Sequence, residues 1–189
     1  MDALQELLRR IGTLGPIPGA GVIAIDGRAA SGKTTLAERI HNELGAGVVH
    51  MDDFFLPPEL RTPERLDEPG GNVHYERFER EVLPLLKSGG AFSYRVFDCR
   101  IMGFAGECAV PASRWRIVEG AYACHPRFGG YADLRVFADV DPETQTGRIL
   151  ARGGPEAASR FAEKWIPLEE AYLRAHGIRK NAHILVFPG

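Results

Sequence analysis

Short apolar runs alternate along this sequence with longer stretches whose apolar residues recur at helical spacing. The runs lie at residues 22–25, 48–51, 116–120, 134–140 and 183–187, and they are rich in β-branched residues. Short, continuously apolar segments of this kind are typical of strands that are buried on both faces of a parallel sheet. Because crossover segments separate the runs, the pattern predicts an α/β fold with four or five parallel strands and helices on both faces.

The stretches between these runs predict the remaining elements. Residues 1–18 are expected to comprise an amphipathic helix, which carries acids and is not a signal peptide, and the start of a Gly/Pro-rich connection. Apolar spacing predicts a helix over residues 74–87, bent by Pro84. Residues 92–98 alternate apolar and polar side chains and fit an edge strand or one arm of a hairpin. A further helix is expected to begin at Asp141 as its N-cap.

Composition and charge fit a single domain, residues 1–189. The chain is 44% hydrophobic and 25% charged, which suits one globular unit with a sizeable core. A net charge of -2 gives no global electrostatic reason to bind nucleic acid or a membrane, and no apolar run is long enough to span a bilayer. The three cysteines form no C-x-x-C pair. Reduced thiols and a cytoplasmic location are therefore expected, and a homo-oligomer is left open.

The strongest chemical signal is the segment G-R-A-A-S-G-K-T at residues 27–34, which matches the phosphate-binding pattern G-x-x-x-x-G-K-[ST] in full. It lies between a predicted strand and a predicted helix, as a P-loop requires. Glycines allow the backbone torsions that turn successive N–H groups toward an anion. Lys33 is expected to reach the β- and γ-phosphates, and the Thr34 hydroxyl to bind Mg²⁺. The predicted nucleotide-binding residues are Gly27, Ala29, Ala30, Ser31, Gly32, Lys33, Thr34 and Thr35.

Three acids follow predicted strands. Asp52 and Asp53 come after the second strand, and Glu119 lies at the end of the third. Ligands of open α/β sheets gather at the carboxyl ends of the strands, so the aspartates are placed to act on a phosphate acceptor. Glu119 is placed to hold Mg²⁺, directly or through its water shell. Capping or turn roles are the alternative for these acids. If the chain is extended there, only one of the adjacent aspartates can face the acceptor.

Two arginines, Arg148 and Arg152, are four residues apart and share one helix face, and a Gly-Gly-Pro break follows them. Arginines beside a glycine hinge suit a lid, at about residues 148–160, that closes over a transferring phosphate. Arginines are also routine surface residues. Beyond the break, an apolar stripe at helical spacing is expected to pack in the core. Its members are Phe161, Trp165, Leu168 and Tyr172.

The order of these motifs resembles the uridine kinase group of P-loop kinases, which includes nicotinamide riboside kinases and is related to phosphoribulokinase and bacterial pantothenate kinase. Residues 25–35, 48–55 and 117–120 carry the resemblance, which spans about residues 20–187. It implies a single-domain P-loop kinase fold with a five-stranded parallel sheet and a short lid. It also implies ATP and Mg²⁺ as cofactors, and transfer of the γ-phosphoryl group to a primary hydroxyl of a small molecule, namely the 5'-hydroxyl of a nucleoside.

The same resemblance assigns roles by position. It identifies Asp52 as the general base, and it places Arg148 and Arg152 among the lid arginines. The expected catalytic residues are therefore Asp52, Lys33, Arg148 and Arg152. The expected Mg²⁺ ligands are Thr34, Glu119 and Asp52.

The acceptor-facing part of the sequence departs from the uridine kinase pattern. No base-reading histidine follows Phe97 and Asp98, and Val73 or His74 stands where an acid for the ribose hydroxyls is expected. Another alcohol acceptor therefore stays open, such as pantothenate, a sugar phosphate or nicotinamide riboside. So does a nucleotide switch, although the N-K-x-D motif of GTPases is absent. The predicted acceptor-facing residues are Asp53, Phe55, His74, Arg95, Phe97, Asp98 and Tyr122.

Overall fold

The computed structural model describes residues 3–188, so Met1 and Asp2 of the predicted N-terminal helix, and Gly189, lie outside it. Within these residues a five-stranded sheet has the strand order β2-β5-β1-β6-β7, and a two-stranded antiparallel sheet joins β3 and β4. The strands are β1 (Gly21–Gly27), β2 (Gly47–His50), β3 (Phe92–Asp98), β4 (Gly103–Val110), β5 (Trp115–Glu119), β6 (Leu134–Ala138) and β7 (Ile184–Val186).

All neighbouring strands of the five-stranded sheet are parallel, which confirms the predicted architecture. The carboxyl ends of its strands therefore meet at one edge. Strand β1 lies in the middle, and all seven of its residues are buried. Because the P-loop follows β1 directly, the fold places the predicted phosphate-binding segment at the centre of that edge.

The core is divided between the two faces of the sheet, as the side-chain alternation of a strand requires. Ile23 and Ile25 of β1 pack on one face with Leu36 and Ile40 of the following helix. The intervening Val22 and Ala24 pack on the other face, within a larger cluster of buried aromatic residues. Members of that cluster include Phe54, Tyr75, Phe78, Tyr94, Tyr122, Phe128 and Tyr172.

Helices cover both faces of the sheet. They are α1 (Ala3–Thr13), α2 (Lys33–Leu44), α3 (Pro63–Asp67), α4 (Tyr75–Glu81), α5 (Pro142–Arg160), α6 (Ile166–Ala175) and α7 (Ile178–Asn181). Asp141 caps α5 as predicted, because its Oδ1 accepts from the Thr144 N–H at 2.9 Å. The helix predicted over residues 74–87 is shorter, and a 3₁₀ segment around Pro84 (Leu83–Ser88) continues it. No helix in residues 3–188 is long and apolar enough to cross a membrane.

The strand predicted at residues 92–98 as an edge strand or one arm of a hairpin is confirmed as a hairpin arm, and it pairs with β4 outside the main sheet. A second segment differs from its sequence-based expectation. The expected break at residues 153–155 is a kink inside α5, where Gly154 has a φ of 73°. A single π-helical turn, Phe161–Trp165, then joins α5 to α6. This π turn directly follows the region expected to form the lid, about residues 148–160.

Candidate active site

The P-loop has the backbone geometry that its glycines predict. Gly27 has a φ of 140°, Ala30 of 57° and Gly32 of 90°, so the chain enters the left-handed region three times within six residues. A Cβ atom on Gly27 would overlap the carbonyl oxygen of Ala138 on the neighbouring strand. Glycine is therefore required at this position both by torsion and by space.

Lys33, the predicted phosphate ligand, is buried and lies against the loop itself. Its ammonium group donates to the carbonyl oxygens of Gly27 at 2.9 Å and Arg28 at 2.7 Å. The Ser31 hydroxyl is also buried, but it has no hydrogen-bond partner within the described chain. A buried hydroxyl without a partner is unusual, and a phosphate oxygen in the loop would satisfy it.

Three side chains from the C-terminal half hold the P-loop from outside. Glu169 of α6 accepts from the Ala29 N–H at 2.8 Å, and Gln145 of α5 donates to the Ala29 carbonyl oxygen at 3.0 Å. Arg148, also on α5, donates to the Ala30 carbonyl oxygen at 3.1 Å. Burial raises the pKa of Glu169 to about 7. Sequence reasoning identified Arg148 but missed Gln145 and Glu169, because no local pattern brings them to the loop.

A second buried carboxylate, Asp26, joins three distant parts of the chain. It accepts from the N–H groups of Gly27 at 2.7 Å, Tyr122 at 3.1 Å and Cys124 at 2.8 Å, and from the Tyr172 hydroxyl at 2.7 Å. Burial raises its pKa, and these donors oppose that rise. Tyr122 has a φ of 73°, an uncommon value for a residue with a side chain. Asp26 therefore ties the start of the P-loop to the segment after β5 and to α6.

The predicted metal ligands lie together at the carboxyl edge of the sheet. The Thr34 hydroxyl donates to Glu119 Oε2 at 3.3 Å, and Asp52 lies close enough to Glu119 for their charges to interact. Asp52 stays open to the cavity, yet its removal from bulk water and the charge of Glu119 raise its pKa. These oxygen donors suit Mg²⁺, which proteins usually hold with one or two carboxylates together with phosphates and water. A cation would also relieve the repulsion between the two carboxylates.

His50 supports this group, although no sequence pattern singles it out. Its Nδ1 lies 2.6 Å from Glu119 Oε1, and that hydrogen bond is the main reason that the pKa of His50 is raised. In the part of the chain that the structure describes, no group of three or more His, Cys, Asp and Glu side chains could hold a metal ion alone. A Mg²⁺ here would therefore depend on Thr34 and on a bound phosphate as well as on the carboxylates.

One open cavity of about 990 Å³ joins the P-loop to this acidic group. Of the predicted site residues, it is lined by Ala29, Ala30, Ser31, Gly32, Lys33, Thr34, Thr35, Asp52, Phe55, Glu119, Tyr122, Arg148 and Arg152. Gly27 lies beneath the loop as its first residue. The cavity therefore brings together the predicted phosphate ligands, metal ligands and general base.

Five of the predicted acceptor-facing residues do not line the cavity. They are Asp53, His74, Arg95, Phe97 and Asp98. Each has other contacts: for example, Asp53 accepts from the Tyr94 hydroxyl at 2.9 Å, and Arg95 pairs with Glu81 at 2.6 Å. Arg95, Phe97 and Asp98 belong to β3, which pairs with β4 and does not line the cavity at these residues.

The apolar stripe after the lid was predicted to be core, and this is wrong for most of its length. Phe161, Trp165 and Leu168 are only partly buried and line the cavity, whereas Tyr172 alone of the four is fully buried. The π turn accounts for part of the change, because it shifts the helical phase between residues 161 and 165.

No protein-family model and no curated protein sequence matches this chain. Solved structures do match it closely in shape. A possible uridine kinase from Bacillus stearothermophilus is 20% identical over 96% of each chain, with a TM-score of 0.73. A protein from Silicibacter sp. TM1040, described as a candidate fructose transport system kinase, is 24% identical over 97% of this chain and 96% of its own, with a TM-score of 0.71.

A D-glycerate 3-kinase from Cryptococcus neoformans is 16% identical and covers 89% of this chain and 84% of its own, with a TM-score of 0.60. These similarities extend over nearly the whole chain, so the agreement concerns the complete domain and not the P-loop alone. At such identities they establish the fold and leave the acceptor open. The chain thus has the P-loop kinase fold, in the form found in the uridine kinase-like structures.

Proposed function

We propose that this protein is an ATP-dependent kinase that transfers the γ-phosphoryl group to a hydroxyl of a small molecule. The observation that carries the proposal is the single cavity that connects a complete P-loop to Asp52 and Glu119. A nucleotide switch needs no room for an acceptor, whereas this cavity continues from the P-loop to the Asp52 carboxylate. The fold shared with the kinase structures agrees with the proposal.

The P-loop residues would hold the phosphates of ATP. The start of α2 has no side-chain cap, so its first N–H groups and the positive end of its dipole would bind the phosphates. The Lys33 ammonium group already lies at the loop, and the unpartnered Ser31 hydroxyl is a further donor. ATP therefore fits the residues that are present.

Thr34, Glu119 and Asp52 would hold Mg²⁺, with His50 orienting Glu119. When bound, the ion supplies positive charge that stabilises the oxygens of the transferring phosphate. Arg148 lies at the P-loop and Arg152 on the same helix face, where both would add positive charge to that side of the cavity. Stabilisation of this developing charge provides most of the catalysis in phosphoryl transfer.

Asp52 would act as the general base. In the transfer step the acceptor oxygen forms a bond to the γ-phosphorus while the bond from that phosphorus to the β,γ-bridging oxygen breaks. The proton of the acceptor hydroxyl passes to the Asp52 carboxylate. The raised pKa of Asp52 makes it a better proton acceptor than an ordinary surface aspartate, provided that it is ionised at the working pH.

A nucleoside as acceptor, which the resemblance implies, is supported only in part. Phe55 and Tyr122 line the cavity, but the residues expected to contact a ribose or a base do not. Kinases of other small alcohols are therefore the nearest alternative.

The proposal is tested by acceptor-dependent ADP release from Mg-ATP by the purified protein. Uridine, cytidine, nicotinamide riboside, pantothenate, ribulose 5-phosphate and D-glycerate would be compared, each with wild type and with Asp52→Asn. We expect at least one acceptor to stimulate turnover in the wild type only, with ATP binding intact in both proteins. Slow turnover that no acceptor stimulates and that survives the substitution would instead indicate a nucleotide switch.

A further inference from the structure

Two arginines within residues 3–188 are almost fully buried, and the proposed reaction uses neither of them. Arg77 on α4 is 1% exposed, and Arg116 on β5 is 0% exposed. A buried guanidinium loses its hydration, so it needs carboxylates or carbonyl groups that accept its hydrogen bonds. The groups that accept from each arginine therefore show which parts of the chain it holds together.

Arg77 holds the 3₁₀ turn that follows β2, Met51–Phe54. Its Nη2 donates to the Asp53 carbonyl oxygen, and its guanidinium carbon lies 4.0 Å from the centroid of the Phe54 ring. The last carbonyl groups of a helical turn have no partner inside the turn, so an outside donor fixes how the turn ends. Arg77 provides that donor for Asp53, and the His74 N–H provides it for Phe54 at 2.7 Å.

The same guanidinium connects this turn to β3. Its Nη1 donates to the Arg95 carbonyl oxygen at 2.6 Å, and it pairs with Glu81 of its own helix at 3.2 Å. The charge of Glu81 offsets the buried positive charge. Because the donors of an arginine are held in one plane, the Asp53 and Arg95 carbonyl groups are kept in a fixed relation to each other. Arg77 therefore holds the turn against β3.

The turn also packs closely against Gly120, the residue that follows β5. A Cβ atom on Gly120 would lie 2.9 Å from the Met51 Cβ and 3.5 Å from Asp52 Oδ1. Asp52 and Gly120 both line the cavity. Because Asp52 lies within a turn of only four residues, any change in how the turn is held would move its carboxylate relative to the cavity.

We propose that Arg77 is a positioning residue for the general base: it holds the Met51–Phe54 turn so that the Asp52 carboxylate meets the acceptor hydroxyl. This inference rests on the proposed kinase function and adds the residue that sets the direction of its base. The proton passes to Asp52, and Arg77 itself does not line the cavity. A displacement of about 1 Å at a reacting group can lower a rate about 100-fold, so a side chain behind the turn can control kcat.

The test compares Arg77→Met with Arg116→Met, which is a matched control. Arg116 also donates to two backbone carbonyl groups, those of Pro111 and Gly90, at 2.5 Å each. It lies near the start of β5, whereas the cavity is at the carboxyl edge of the sheet. Both substitutions remove buried donors, so both should lower the melting temperature. Only Arg77→Met should lower the kcat of the folded protein.

ADP release from Mg-ATP is measured with uridine, cytidine, nicotinamide riboside, pantothenate, ribulose 5-phosphate and D-glycerate, and circular dichroism gives the folded fraction of each variant. With the acceptors that stimulate wild type, Arg77→Met should lower kcat about 10- to 100-fold, change KM much less and leave ATP affinity unchanged. Arg77→Lys is a milder variant that keeps the charge. A lysine donates from one atom and cannot bridge both carbonyl groups, so its kcat should lie between those of wild type and Arg77→Met.

A double variant shows whether Arg77 acts through Asp52. If it does, adding Arg77→Met to Asp52→Asn should lower kcat little further, because the group that Arg77 orients is already lost. A purely structural role would lower kcat by the same factor in wild type and in Asp52→Asn.

The outcomes separate this inference from the proposed function. An unchanged kcat in Arg77→Met, or equal losses of kcat in Arg77→Met and Arg116→Met, would overturn the positioning role and leave the kinase function standing. A full additional loss when Arg77→Met is combined with Asp52→Asn would overturn it as well. Turnover that no acceptor stimulates, with ATP bound normally, would overturn the kinase function and the positioning role together.

Discussion

The nucleotide half and the acceptor half of the cavity are built in different ways. The proposed nucleotide half comes from consecutive residues, 27–35, and it would bind phosphate largely through backbone groups whose directions are set by torsion angles. The acceptor half combines side chains from the end of β2, the loop to Asn72, the segment after β5 and α6. A site made from one short segment can be recognised from its sequence, whereas a site made from several distant segments depends on the tertiary structure.

The two halves also differ in how their polar groups are held. In the nucleotide half Lys33, Ala29 and Ala30 have protein partners, several of which come from α5 and α6, and the buried Ser31 hydroxyl has none among the described residues. In the acceptor half Asp52 lies near a second carboxylate, Glu119. The protein therefore holds most of the P-loop in shape by its own contacts, whereas the two carboxylates repel each other, and a bound cation would relieve that repulsion.

The largest expected effect concerns the acceptor half. Asp52→Asn should lower kcat by about 10²- to 10⁴-fold, the usual contribution of a general base, while ATP binding is retained. Asp53→Asn is the matched control, because Asp53 is bonded to Tyr94 and does not line the cavity. Steady-state kinetics with nucleotide titrations would check both. Equal losses in the two variants would remove Asp52 from the mechanism.

Lys33→Met tests the nucleotide half. We expect kcat to fall by about 10²- to 10³-fold, since one donor to the developing charge is lost. ATP binding should weaken as well, and by the same factor whichever acceptor is present. Isothermal titration with ATP and kinetics with two different acceptors would measure this. If the loss of ATP affinity in Lys33→Met differed between acceptors, the two halves would not act independently.

Asp26→Asn tests the junction between the halves. The Tyr172 hydroxyl can rotate to accept from an amide, but a backbone N–H cannot, so at least one donor loses its partner. The free energy of unfolding should fall by about 1–3 kcal/mol. Asp141→Asn is the control, because Asp and Asn cap helices almost equally well. Urea denaturation of both variants, followed by circular dichroism, would decide. If the free energy of unfolding were the same in Asp26→Asn as in wild type, the hydrogen bonds of Asp26 would contribute little to stability.

The smallest effect is expected at Glu169, where the P-loop meets α6. Its pKa is raised to about 7, and it faces Lys33, Asp26 and Asp52 as well as the Ala29 N–H. When ionised it repels phosphate, so binding ATP favours proton uptake and affinity should fall as pH rises. Between pH 6 and 8 we expect a fall of about three- to tenfold.

Glu169→Gln should flatten this pH dependence. Glu170→Gln is the control, because Glu170 is the neighbouring acid and pairs with Arg28. Any pH dependence that comes from titration of ATP itself should remain in this variant. The free energy of unfolding should change in the same direction. Because the Glu169 carboxyl has a higher pKa in the folded state, the folded protein loses stability as the pH rises toward that pKa. Melting temperatures of Glu169→Gln should therefore fall less than those of wild type between about pH 4.5 and 7. If the pH profiles of ATP affinity and melting temperature ran parallel in wild type and Glu169→Gln, Glu169 would not be the titrating group.

Periodicity and one local motif were enough to predict the sheet, the P-loop and the carboxylates after β2 and β5. All of these depend on neighbours in sequence or on the rule that parallel strands end at one edge. Glu169 and His50 could not be predicted, because each contacts a partner far away in the chain. Phe161 and Trp165 were misassigned for another reason, since an amphipathic stripe does not distinguish the core from a cavity wall.

The hydrogen bonds of Asp26 also have a consequence for how the chain folds. Its partners Tyr122, Cys124 and Tyr172 are 96, 98 and 146 residues away in sequence. Contacts of such long range form late, because a large loop must close before they are made. The P-loop has its complete motif within eight residues, yet the carboxylate at its base gains its hydrogen bond from Tyr172 only when α6 has docked. Nucleotide affinity should therefore appear in one of the last steps of folding, and a nascent chain that ends before α6 should lack it.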